Sequence, residues 1–156
     1  LVRAMPNLPV FVGKGMTGLY CPDTLETQKR QQVTMLFANV GKVVWVDDEN
    51  QLNSVTAISG SGPAYFFRLA EAIIKSGEAL GLSKEVSEQL AHQTLVGTGA
   101  ILEEMNETAG SLRAKVTSPG GTTAAALNVF DEDNVLDNLA LKAVTAAFQR
   151  ARELAS

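Results

Sequence analysis

The sequence changes texture at Asp47, and that change limits the fold more than any other feature. Before it, short apolar runs bounded by Gly or Pro read as strands: Val10-Phe11-Val12, residues 16–21 and residues 42–46. Residues 24–39 carry Leu25, Val33, Leu36 and Phe37 at helical spacing, with Gly41 as a C-terminal stop. A strand–helix–strand tail of this kind belongs to an α/β sheet but is too short to make one, so further strands are expected elsewhere. After Asp47 no strand pattern occurs. Helices are expected over 49–58, from the Gly62-Pro63 step through Tyr65, Phe66, Leu69, Ile73 and Leu80 to Gly81, and from a Ser83 cap to Met105. Shorter ones fit 111–116 and 119–130, and a last one covers 134–154. The fold class is mainly α: a helical domain at 47–156 behind the end of an α/β sheet at 1–46.

Residues 93–102 lie inside one of these helices without a single charge, and Gly97 and Gly99 sit among them. A helix with no solvated face is buried on all sides, and ten residues cannot span a bilayer. A core helix or a subunit interface remains, and the small residues favour the interface. The net charge of −4 gives no footprint for nucleic acid or an anionic membrane. The longest uncharged runs, 52–67 and 116–130, are too short for a transmembrane span and carry Gly, Ser, Asn or Pro. Cys21 stands alone, which excludes an internal disulfide and fits a reducing, cytoplasmic setting. The chain opens at Leu1, without methionine, directly in strand-like sequence, as a piece beginning inside a domain would.

Among the loops, Thr117-Ser118-Pro119-Gly120-Gly121-Thr122-Thr123 reads as a binding site made mostly of backbone. Ser118 suits an N-cap and Pro119 the first helical position. Gly120 and Gly121 would then expose unsatisfied N–H groups to a carboxylate or phosphate. Two glycines cost about 1 kcal/mol each in helix stability, so either a ligand requires them or the helix merely has a softened start. Ser59-Gly60-Ser61-Gly62-Pro63-Ala64-Tyr65 is a second such loop, by itself equally readable as a tight interhelical turn. Gly13-Lys14-Gly15-Met16-Thr17-Gly18 matches the dinucleotide spacing formally, but strand-like residues follow where a helix should open, so it is read as a decoy. His92 has no catalytic constellation around it, the Asp47-Asp48-Glu49 run suits a solvated helix start, and no metal-ligand spacing occurs.

Taken together, Arg3-Ala4-Met5-Pro6-Asn7-Leu8-Pro9, the Ser59–Tyr65 loop and Val116-Thr117-Ser118-Pro119-Gly120-Gly121-Thr122-Thr123 closely resemble pyrroline-5-carboxylate reductase. The resemblance implies a Rossmann domain that binds NADPH or NADH, an all-helical dimerisation domain, and reduction of 1-pyrroline-5-carboxylate to L-proline. It makes 1–46 the remnant of the Rossmann domain and 47–156 the dimerisation and substrate-binding domain, with the main cofactor-binding segment absent. By the same resemblance Ser118, Gly120, Gly121, Thr122 and Thr123 would hold the substrate carboxylate. Thr123 would be catalytic, bonding near the ring nitrogen to orient the imine carbon. Glu49 would lie near the substrate amine, while Asn7, Ser59, Gly60, Ser61 and Gly62 would flank the nicotinamide. Lys115 departs from the neutral side chain of the family, so no binding role carries over to it. The implied assembly is a homodimer, or a decamer of dimers, with no nucleic acid, membrane or metal. Two alternatives stay open: an inactive oligomerisation module, or a related imine or keto-acid reductase.

Overall fold

The computed structural model describes residues 1–22 and 25–155. Thr24, where the first helix was expected to start, lies outside them. Three strands form one sheet in the order β1 (Arg3–Met5), β2 (Gly15–Tyr20), β3 (Gly41–Trp45). β1 runs antiparallel to β2, with Ala4 opposite Leu19, and β2 runs parallel to β3, with Thr17 opposite Val43. The parallel pair is joined through α1 (Thr27–Ala38), the crossover that a parallel connection requires. β2 is central, and its Thr17 and Leu19 side chains are fully buried. A Cβ at Gly18 would stand 2.6 Å from Val55 of α2 (Gln51–Val55), so the absent side chain lets that helix close on the strand. The formal dinucleotide match thus continues as strand: Gly15 and Gly18 lie in β2, and Gly13 stands before it at φ 69°.

One expected strand is corrected. Residues 10–12 belong to a 3-10 turn, Leu8–Val12, with Pro9 at its start. Pro9 fixes φ near the helical value and lacks a ladder donor, while the carbonyls of Pro9 and Val10 accept the Lys14 and Gly13 amides. Phe11 and Val12 point outward, 85% and 75% exposed. The strand lies earlier, at β1, too short to show a period.

The helices follow the expected order. α2 runs directly into a π-helical turn, Thr56–Gly60, in which the Ser61 amide bonds the Thr56 carbonyl at 2.8 Å. α3 is Gly62–Ala79 and α4 Lys84–Glu104, the latter capped as expected by Ser83 Oγ, which accepts from the Val86 amide. α5 (Ala109–Lys115), α6 (Thr122–Asp131) and α7 (Val135–Ala155) complete the chain.

The chain divides into two compact units, Leu1–Phe66 with Ala140–Ser156, and Phe67–Leu139. In the first, the core is Leu19 and Thr17 of β2 with Leu52 and Ala57 of the segment packed above the sheet. In the second, small residues dominate: Ala70, Ser87 and Ala91 are buried. A Cβ at Gly77 would meet Ser87 Oγ at 2.7 Å, so α3 and α4 approach closely there. Residues 93–102 do not form a core within the chain. Val96 is 64% exposed and Ile101 48%. Phe67, Ala70, Ile74, Leu95 and Val96 line a mostly apolar groove between α3 and α4, together with Glu71 and His92. Among the described residues no helix is long and apolar enough to cross a membrane, and no group of His, Cys, Asp or Glu could hold a metal.

Candidate functional site

The residues singled out in the sequence fall into one set in each unit. In the second unit, the loop before α6 differs in detail from the expected helix start. Ser118 is not the cap and Pro119 is not in the helix. Instead the Ser118 carbonyl accepts the Gly121 amide at 3.0 Å, closing a four-residue turn over Pro119 and Gly120. Pro at the second position and a Gly with φ 70° at the third are the signature of a type II turn. Only glycine adopts that φ without strain, which explains Gly120. Gly121, extended at φ −80° and ψ 173°, is the true cap, and its carbonyl accepts the Ala125 amide.

No side chain caps α6. The amides of Thr122, Thr123 and Ala124 therefore form a first turn without intrahelical acceptors, at the positive end of the helix dipole. Ser118, Pro119, Gly120 and Thr122 are exposed, with Gly121 and Thr123 half-buried. The correction shifts the available amides two residues along the chain and leaves them facing an open loop. Such a turn can hold a small carboxylate through the backbone.

Upstream, α5 leads straight into this loop. Thr108 Oγ1 caps it by accepting the Ser111 amide, and Thr117 Oγ1 donates to the Arg113 carbonyl at 2.6 Å. Glu107 was not singled out in the sequence. Its carboxylate accepts from Ser111 Oγ at 2.7 Å and from Lys115 Nζ at 2.5 Å. These donors, Lys115 first, hold the Glu107 carboxyl below its ordinary value. The signal was available as a Glu–Ser–Lys series spaced by four.

In the first unit, Asn7 and Ser59 meet. Asn7 Nδ2 donates to the Ser59 carbonyl at 3.0 Å, and Asn7 Oδ1 accepts the Met16 amide at 2.8 Å. One amide side chain thus ties β2 to the π-helical turn. A π turn leaves carbonyls without their α-helical donors, and side chains supply several here. Tyr65 Oη donates to the Ala57 carbonyl at 2.9 Å, and Ser59 Oγ to the Val55 carbonyl at 2.9 Å. A Cβ at Gly60 would crowd the Met5 methyl at 2.7 Å, whereas Gly62 is buried but a Cβ there would meet nothing within 4 Å. Glu49 stands just before α2, and its carboxylate pairs with Arg3, both side chains about half exposed. The sequence pointed to Glu49 but not to this partner, which comes from β1.

Comparison with known proteins gives a consistent result. Residues 49–154 match the family model described as pyrroline-5-carboxylate reductase dimerisation. The chain is 43% identical over 155 residues to pyrroline-5-carboxylate reductase from Pseudomonas aeruginosa, covering 99% of this chain and 56% of that protein. It is 44% identical to the enzyme of that name from Mycobacterium tuberculosis, covering 97% of this chain and 55% of that protein. Among solved structures, a pyrroline-5-carboxylate reductase from Coxiella burnetii superposes with a TM-score of 0.93 at 44% identity, covering 98% of this chain and 56% of that one. A Plasmodium falciparum pyrroline carboxylate reductase with NADP bound gives a TM-score of 0.83 at 31% identity, with 99% and 63% covered. The chain spans about half the length of the curated relatives it matches.

Proposed function

Because this chain belongs to the pyrroline-5-carboxylate reductase family, we propose that the protein reduces 1-pyrroline-5-carboxylate to L-proline by hydride transfer to the imine carbon. The observation that carries this reading is the uncapped first turn of α6, opened by the Pro119–Gly120 turn and bearing three amides free of helical acceptors. It offers a small carboxylate a fixed set of donors within the segment matched by the family model.

In this reading residues 47–156 form the dimerisation and substrate-binding domain, and 1–46 the end of a cofactor domain. The amides of Thr122 and Thr123 bind the substrate carboxylate, with Gly120 and Gly121 setting the turn and Ser118 closing it. Thr123 Oγ1 then orients the ring nitrogen. Glu49 favours the protonated iminium by its charge, with Arg3 holding the carboxylate in place.

A bound NADPH or NADH would supply the hydride. Ser61 and Gly62, where the π turn passes into α3, would border the flat nicotinamide. Asn7 and the Thr56–Gly60 turn would hold that side of the site, Asn7 by fixing the Ser59 carbonyl. The Gly13–Gly18 segment, being strand β2 and its approach, would not cradle the pyrophosphate. Positioning and electrostatics suffice for such a transfer, so a strong general base is not needed.

The exposed apolar faces of α3 and α4 support a homodimer, and the family reading allows a decamer of dimers. A cytoplasmic setting suits this assignment. The test is NADPH consumption by the full-length protein with pyrroline-5-carboxylate, pyrroline-2-carboxylate and a keto acid supplied separately. Turnover confined to the first is expected; preference for another would move the protein to a related imine or keto-acid reductase. The same exposed faces also suit an oligomerisation module. Cofactor titration and sedimentation of the 156-residue chain alone address this, since assembly without NADPH binding is what such a module would show.

A further inference from the structure

We propose that Glu107 is a positioning residue for the substrate loop: by holding Ser111 and Lys115 together it fixes α5, and through α5 the turn that presents the α6 amides. This rests on the reading of residues 118–123 as the carboxylate site. A seven-residue helix does not persist by its own hydrogen bonds, so α5 needs outside support. None of its residues is fully buried and only Leu112 is half-buried, so polar contacts carry much of that support.

Glu107 lies before the helix and spans its whole length. One carboxylate oxygen takes Ser111 Oγ from the first turn, and the other takes Lys115 Nζ from the last residue. The Glu107 side chain is only 25% exposed, against 56% for Lys115, so the carboxylate is the better-shielded partner. From there the path to the site is short and continuous. The Val116 and Thr117 amides bond carbonyls of α5, Thr117 Oγ1 bonds Arg113, and Ser118 closes the turn on Gly121. Movement of the last turn of α5 therefore carries the Ser118 carbonyl with it, and with Ser118 the orientation of Gly121 and the amides behind it. Lys115 gains a role from this geometry without touching substrate.

The experiment uses the full-length enzyme with Glu107→Gln, Lys115→Met and the double variant. Glutamine keeps an acceptor but loses the charge-assisted bond. Each single variant should raise KM for pyrroline-5-carboxylate about threefold to tenfold while kcat changes less than about twofold, the scale of one modest hydrogen bond. The double variant should resemble the singles, because both remove the same link. Amide exchange over residues 111–117 should quicken in all three. Unchanged KM with unchanged exchange would overturn the proposal, as would additive effects or a loss confined to kcat. Exchange is read without substrate, so it tests the link even if the wild-type protein turns over a different imine.

Discussion

Replacing Thr123 by Ala removes one hydroxyl from the first turn of α6 and leaves the amides and the turn in place. If that hydroxyl orients the ring nitrogen, kcat/KM for pyrroline-5-carboxylate should fall by about 1–3 kcal/mol of transition-state binding. Steady-state kinetics of the full-length variant check this, and unchanged values would remove Thr123 from the site. Gly120→Ala acts differently, since it places a Cβ on a residue with φ 70°. Forcing a non-glycine residue there costs about 1–2 kcal/mol, and the turn is expected to relax, weakening substrate binding more than folding. KM measured beside the thermal midpoint separates the two effects.

Glu107 adds a pH dependence of known sign. Its folded-state pKa is lowered by the bonds from Lys115 and Ser111, so its contribution is present above the ordinary glutamate value and lost as pH falls through the lowered one. Exchange protection of α5 should therefore fade in acid, as pH falls below the ordinary glutamate value. In Glu107→Gln that acid step should be absent.

At the scale of elements, most helices were legible because their signals are local. Ser83 caps α4 and a 3.6-residue spacing marks α3, both matters of neighbouring residues. The α6 start was misplaced because Ser-Pro-Gly-Gly satisfies two local patterns, a cap followed by proline and a type II turn. The Gly120 φ distinguishes them, and sequence does not report it. Residues 10–12 failed for a similar reason: an apolar run resembles a strand, yet it belongs to a 3-10 turn with Pro9 at its start. The π-helical turn had no local signal. One of its carbonyls, that of Ser59, accepts from Asn7, 52 positions away in sequence. Gly18→Val tests the packing between elements, since Val55 already stands where the new side chain would go. Overpacking of this kind is expected to cost about 1–3 kcal/mol, read as a lower thermal midpoint.

For the whole molecule, the surface left by each unit matters as much as its core. Phe66, Phe67, Ile73, Leu90 and Val96 remain more than half exposed, although the helical spacing marks Phe66 and Ile73 for burial. Singly exposed apolar residues are ordinary, but a run of them along α3 and α4 fits burial against another chain. Val96→Glu should hardly change the fold of the isolated chain, where that side chain meets solvent. It should weaken self-association, which sedimentation over a range of concentrations would register; association as tight as in the wild type would exclude this face. Periodicity, caps and turn residues act over a few positions, so the mainly α class, the helix order and the three motifs could be read from the residues alone. Which Gly turns and which caps, where the π turn falls and what Asn7, Glu49 and Glu107 hold could be read only from the fold. Asn7 meets Ser59 and Glu49 meets Arg3 across 52 and 46 positions, contacts that exist only in the folded chain. The Gly120 turn and the Glu107 bonds are instead local, the first ambiguous between two turn patterns and the second written in a spacing of four.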